Sequence, residues 1–249
     1  MRPLSPLLVL LMAASVACVG DSPTTKPETD AGADVASNDA TTPPSCATAL
    51  LCDAFDSDPP LAKWKTSTDR GGVIEVSPNV AKSQPKALHA MTPNPGALTA
   101  EARAVFEQTG PLAKWTVDAN LFLDSDVPQG DAGPVKAPLA LQLVLGTNLG
   151  QSVDVELHPW DATATVLAFG TAVNAAIPFA KKAWHHVHVE VARSGSGYDV
   201  STTIDTTTKS ATGLASGPPT TTKLAAGLFT QGPFPQLDLY VDDVVLTGQ

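Results

Sequence analysis

The feature that most constrains this chain is a period of two. His185 to Arg193 alternates Val187, Val189 and Val191 with His186, His188 and Glu190, and Ser152 to His158 alternates Val153, Val155 and Leu157 with Asp154, Glu156 and His158. Successive side chains of a strand point to opposite faces, so segments like these have one buried face and one wet face. Lys114 to Leu123 does the same with Trp115, Val117, Ala119, Leu121 and Leu123. Leu50–Phe55, Gly72–Ser77, Lys86–Met91, Glu101–Phe106, Leu139–Leu145, Thr163–Phe169, Tyr198–Asp205 and Lys223–Phe229 read as further short strands between turns. No stretch holds a helical period long enough to sustain a helix, and 22 prolines cut the chain often. About a dozen short strands over about 200 residues predict one all-β domain of two stacked antiparallel sheets, with no internal repeat.

The last segment, Gln236 to Thr247, is the best strand of the set. Leu237, Leu239 and Val241 alternate with polar or amphipathic residues, and then Asp242 and Asp243 stand side by side. Strict alternation carries Asp243 inward. A bulge instead returns Val244 and Leu246 to the inward face and leaves Asp242 or Asp243 at the kink. Either way a carboxylate approaches the interior, where it needs a hydrogen-bonding, ionic or metal partner.

The N-terminus reads as an export signal. Arg2 supplies a basic start, and Leu4 to Val16 is apolar but too short to span a bilayer. Ser15-Val16-Ala17-Cys18 resembles a bacterial lipobox, with Ser15 where leucine is preferred; residues 1–17 are then a signal peptide and Cys18 the lipidated first residue. The alternative is a plain secreted protein cleaved near Ala17 with Cys18 unpaired. Residues 19–45 are rich in Pro, Thr, Ala and Asp without apolar period, as expected of a disordered tether reaching about 30 Å. The folded domain is expected over 46–249. Cys46 and Cys52, six apart in an exported chain, predict a disulfide worth ~2 kcal/mol, with a metal pair as the alternative. A formal charge of −10 argues against nucleic acid as partner.

Several pieces in order resemble the concanavalin A-like lectin/glucanase jelly-roll superfamily, including its laminin-G-like branch. They are Cys52-Asp-Ala-Phe-Asp-Ser57 followed by Trp64, Lys181-Lys-Ala-Trp184-His-His-Val187 opening a strand, the Gly-Ser hairpin into Tyr198-Asp-Val, and the closing Leu239-Tyr-Val-Asp-Asp-Val-Val-Leu246. The resemblance covers about residues 50–248. It implies a jelly-roll β-sandwich whose first and last strands are neighbours, which sets Asp53 and Asp56 beside Asp242 and Asp243. Four such carboxylates suit a structural Ca²⁺; backbone amides are the competing partners. The superfamily holds sugar binders, glycan hydrolases, lyases and adhesion modules.

Four sets of residues are candidates for chemistry. Asp154, Glu156 and His158 share one strand face and can form an acid–base cluster, but the Glu-x-Asp-x-x-Glu motif of the fold's glucanases is absent, and the solvent face of a half-buried strand is the preferred reading of these three. His186 and His188 have metal-ligand spacing, completable by His158 or Glu156 if those strands are neighbours. Trp160, in a turn after His158-Pro159, and Tyr198 are candidate sugar-stacking rings, whereas Trp115 and Trp184 are expected in the core. Ser196 is explained by a hairpin and is not a nucleophile elbow. The expected protein is a monomeric cell-envelope lipoprotein, at the outer membrane or cell surface, with a non-catalytic carbohydrate-binding domain. A glycan hydrolase or lyase, and an adhesion module for an envelope protein, are the alternatives.

Overall fold

The computed structural model describes residues 46–93, 99–110, 112–127, 136–146, 151–173, 176–215, 219, 221–232 and 235–249. Cys18, the signal segment and the tether lie outside them. Apart from a three-residue 3₁₀ turn at Cys46–Thr48, the regular structure is β. One sheet contains β1 (Leu51–Asp53), β3 (Val73–Ser77), β4 (Ala87–Thr92), β6 (Lys114–Asp124), β12 (Trp184–Ser194), β13 (Gly197–Ile204), β14 (Thr207–Ala215) and β16 (Leu237–Gly248). Its order is β14-β13-β12-β6-β16-β4-β3, with β1 paired to the far half of β16. We call it sheet A. Sheet B contains β2 (Lys65–Asp69), β5 (Thr99–Thr109), β7 (Lys136–Leu145), β8 (Ser152–His158), β9 (Thr163–Ala168), β10 (Thr171–Ala172), β11 (Ile177–Pro178) and β15 (Thr221–Gln231). Its order is β10-β9-β8-β7-β15-β5-β2, with β11 also on β9. Every pairing is antiparallel.

The two sheets stack, and the inward residues of each alternating strand form one core. Trp115, Val117, Leu121 and Leu123 of β6 meet Leu141, Leu143, Val155 and Leu224 of sheet B in one buried cluster. Burial of such side chains is the main stabilising term. A polar bond also ties the layers: Trp115 Nε1 donates to Thr222 Oγ1 at 2.9 Å.

The closing strand adopts the bulged register. β16 pairs with β6 on one side and with β4 and β1 on the other. The first and last strands are therefore neighbours, with Leu51 opposite Leu246 and Asp53 opposite Val244. The register against β6 shifts between Asp242 and Val245, and Asp243 sits at φ 50°, so Val244 and Leu246 return inward. Asp242 is fully buried. It accepts hydrogen bonds from the Lys82 and Ser83 amides at 2.9 and 2.8 Å and from Ser83 Oγ at 3.2 Å. Nearby, Cys46 and Cys52 form the expected disulfide, and the Leu50 amide donates to the Leu246 carbonyl at 2.8 Å. The start of the domain is thus pinned to its last strand.

Candidate functional site on the outward face of sheet B

The face of sheet B that points away from sheet A carries a polar network across four adjacent strands. On β5, Glu101 and Arg103 lie two apart and so on the same face. Arg103 Nε and Nη2 donate to one Glu101 carboxylate oxygen at 2.9 and 2.8 Å. Nη1 crosses β15 and donates to Gln142 Oε1 of β7 at 3.0 Å. Gln142 Nε2 donates onward to Asp154 Oδ1 of β8 at 2.9 Å, and Ser152 Oγ donates to Asp154 Oδ2 at 3.0 Å. The Arg103 guanidinium lies over the Phe229 ring, 5.0 Å from its centroid.

Backbone geometry makes the crossing of β15 workable. Gly227 is paired with Arg103 and stands at φ 124° in a register irregularity between Ala226 and Phe229. A Cβ there would lie 2.3 Å from the Ala102 carbonyl oxygen. Only glycine tolerates both conditions. With glycine and Ala225 on the intervening strand, no large side chain separates Arg103 from Gln142.

Asp154, Glu156 and His158 all point to this face, as alternation predicts, but they are held differently. Burial raises the Asp154 carboxyl above its ordinary value, partly offset by its hydrogen bonds from Gln142 and Ser152. Burial also raises Glu156, and the neighbouring charge of Asp154 adds to it. Burial lowers His158, favouring the neutral ring, whose Nε2 has no hydrogen-bond partner among the described residues. Thus one carboxylate is locked into the network while the imidazole packs against Trp160, ring centroids 5.3 Å apart.

The candidate aromatic platform is not there. Trp160 is only 8% exposed and belongs to the core, because its turn folds the indole back over His158. Tyr198 is 1% exposed and packs between Phe169 and Trp115, at 5.7 and 5.9 Å. Trp115 is buried as expected, but Trp184 is half-buried on the outward face of sheet A. There, directly paired residues set Trp184, Phe122, Tyr240 and His89 in a row across β12, β6, β16 and β4. Their centroids are 5.5, 6.0 and 4.5 Å apart, and the His89 and Tyr240 rings stack face to face. His89 thus covers one face of Tyr240, which is only 8% exposed, while Phe122 meets Tyr240 edge-on and Trp184 at a tilt. The row builds the sheet, each cross-strand pair contributing about 0.2–1 kcal/mol.

The metal candidates are likewise occupied by protein partners. His188 Nδ1 lies 2.8 Å and His186 Nε2 3.3 Å from Asp118 Oδ1. His158 and Glu156 are in the other sheet, so they are not neighbours of this pair. Asp53 accepts from the Phe55 amide and Trp64 Nε1, both at 2.8 Å, and Asp56 from the Lys86 amide at 3.1 Å. Asp243 accepts from Ser83 Oγ at 2.8 Å and Asn120 Nδ2 at 3.0 Å. Among the described residues no three His, Cys, Asp or Glu side chains gather as a metal-binding group. Asp53, Asp56 and Asp242 accept from backbone amides, whereas Asp243 accepts from side chains.

Arg103, Glu101, Gln142 and Phe229 went unmarked as candidates in the sequence. One signal was present: Gln142 is the single polar residue of the run Leu139-Ala-Leu-Gln-Leu-Val-Leu145.

No family profile and no curated protein matches this sequence. Solved structures do match in shape. An endo-β-1,4-glucuronan lyase from the fungus Trichoderma reesei superimposes with TM-score 0.61 at 11% identity, over 81% of this chain and 96% of that one. The cellulose-induced protein Cip1 follows with TM-score 0.55 at 13% identity, over 79% and 96%. The shared fold is a jelly-roll β-sandwich of two antiparallel sheets. A sialidase matches with TM-score 0.53 at 12% identity, over 80% of this chain but 18% of its own. At these identities the jelly roll is shared and the chemistry is not carried with it.

Proposed function

We propose that this jelly roll is a non-catalytic glycan-binding domain whose ligand lies on the outward face of sheet B. The observation that carries the reading is the Arg103–Gln142–Asp154 network. Vicinal sugar hydroxyls each donate and accept, and they are matched by planar groups that present donors and acceptors side by side. A guanidinium, a carboxamide and a carboxylate stand here in a line across four strands, beside the half-buried Phe229 ring. A few oriented polar groups on a rigid sheet are what orient a ligand. The glycan ligands or substrates of similarly folded proteins are consistent with this reading at the level of ligand class.

Binding is favoured over cleavage because the best-placed acid–base group, Asp154, is committed to Gln142 and Ser152. A protein-docking role fits less well, since Val73 is the one large hydrophobic side chain exposed among the described residues. The test is a glycan array probed with the full-length protein, together with assay of bound glycans for new chain ends. Retention without cleavage is expected. Retention on no glycan rejects the binding role, and cleavage rejects its non-catalytic character.

We further propose that the domain stands on the cell envelope, held by a lipid on Cys18 and a tether to residue 45. Stable anchoring takes two or more acyl chains. Palmitate labelling of the wild type that disappears in Cys18→Ala is expected; labelling that persists rejects the anchor.

A further inference from the structure

Building on that glycan-binding reading, we infer that the face selects uncharged glycans and that Glu101 is the residue that excludes acidic ones. A uronate or sulfate is captured by a guanidinium that offers two parallel N–H groups to its oxygens. In Arg103 the Nε and Nη2 edge suited to that fork is already filled by Glu101, at 2.9 and 2.8 Å. Nη1 is engaged by Gln142, and the flat face of the group rests on Phe229. Both carboxylate and guanidinium side chains are only 17% exposed, so bulk water does little to screen the pair.

The other charges on this face point the same way. Lys223 and Lys65 share Glu107, at 3.6 and 3.9 Å. Lys136, at the exposed start of β7, carries a charge that favours the ionised form of Glu156. Among the described residues Asp154 accepts from the neutral donors Gln142 and Ser152. An anionic sugar laid along the network would thus meet Glu101, Asp154 and Glu156 with no uncommitted fork to receive it. The chain's formal charge of −10 adds long-range repulsion of polyanions. A neutral sugar meets no such penalty and uses the remaining N–H groups and carboxylate lone pairs of the same residues.

The experiment is affinity electrophoresis of the full-length protein through gels containing neutral polysaccharides (xylan, mannan, β-glucan) or uronate polymers (polygalacturonate, alginate), at two salt concentrations. The wild type is expected to bind at least one neutral polymer tenfold or more tightly than any uronate polymer. Glu101→Gln keeps the shape and one acceptor but releases the guanidinium charge. It is expected to narrow the preference for neutral over uronate polymers tenfold or more, whatever it does to neutral binding itself, with melting temperature as the check on folding. Wild-type binding to a uronate polymer as tight as to the neutral ones overturns the inference and leaves the glycan-binding reading standing. Glu101→Gln that folds and still discriminates as the wild type does removes Glu101 as the determinant and overturns that part. Retention on neither class rejects the binding reading itself and the inference with it.

Discussion

Trp115→Ala is expected to lower the unfolding free energy by about 3–5 kcal/mol, the range for removing a large ring from a packed core. Trp115 is fully buried, and its indole reaches from β6 in sheet A to Thr222 on β15 in sheet B. Its loss therefore opens a cavity between the layers and also strands the Thr222 hydroxyl, which is itself fully buried. Tyr198, whose ring lies 5.9 Å away, loses a packing partner as well. Chemical denaturation measures the loss. A change below about 1 kcal/mol would mean that the sheets do not depend on this contact. Trp115→Phe separates the terms, since it restores most of the volume while leaving Thr222 without its donor.

Stability should peak on the acid side of neutrality, near pH 4–5, because Asp118, His188 and Asp242, among other groups, titrate differently in the folded and unfolded chain. Burial alone would raise Asp118, but the hydrogen bonds and charge of His186 and His188 outweigh it and hold the carboxyl at about 2 against an ordinary 3.8. Its stabilisation, about 2 kcal/mol by linkage, is present above the unfolded value and is lost as pH falls toward 2. His188 is raised by its hydrogen bond to Asp118, against burial. Its contribution is present below the ordinary histidine value and is lost as pH rises through the raised one. Asp242 is pushed up to about 6, first by burial and then by the charge of Asp243, while the Ser83 amide works against the shift. A raised carboxyl favours the folded state when protonated, so acidification from above 6 to the ordinary 3.8 should add about 3 kcal/mol. Unfolding free energy measured from pH 2 to 9 is expected to show both limbs. Asp118→Asn should flatten the acid limb and Asp242→Asn the limb between pH 4 and 7. A flat profile in the wild type contradicts the account.

Legibility in the sequence followed burial. Strands packed on one face announce themselves by alternation, and the inward sets of β6, β8, β12 and β16 were readable for that reason. β2, Lys65-Thr-Ser-Thr-Asp69, was not, because it lies at the edge of sheet B and buries none of its side chains fully. β14, at the edge of sheet A, escaped for a related reason: its Thr-rich text carries no apolar alternation. The bulge in β16 was foreseen as one of two registers, and the apolar pattern of Val244 and Leu246 decides between them. Tyr198 was misplaced although Val200 and Ile204, at the same period, put it on the inward face. Trp160 was misplaced because a turn position says nothing about whether a ring folds back over the preceding strand.

The candidate site was half legible. That Asp154, Glu156 and His158 share a face follows from β8 alone. That Arg103 reaches Gln142, 39 residues away in sequence, depends on β15 passing between them with glycine and alanine where they cross. Pairing of that kind is set by topology and by one irregularity at Gly227, and neither is written in local periodicity.

The most direct test is to map where a retained glycan touches the protein, by backbone and side-chain NMR shifts on titration. Shifts centred on Arg103, Gln142, Asp154 and Phe229 on the outward face of sheet B are the expected result. Shifts confined to the opposite face, around Phe122, Trp184 and Tyr240, would contradict it.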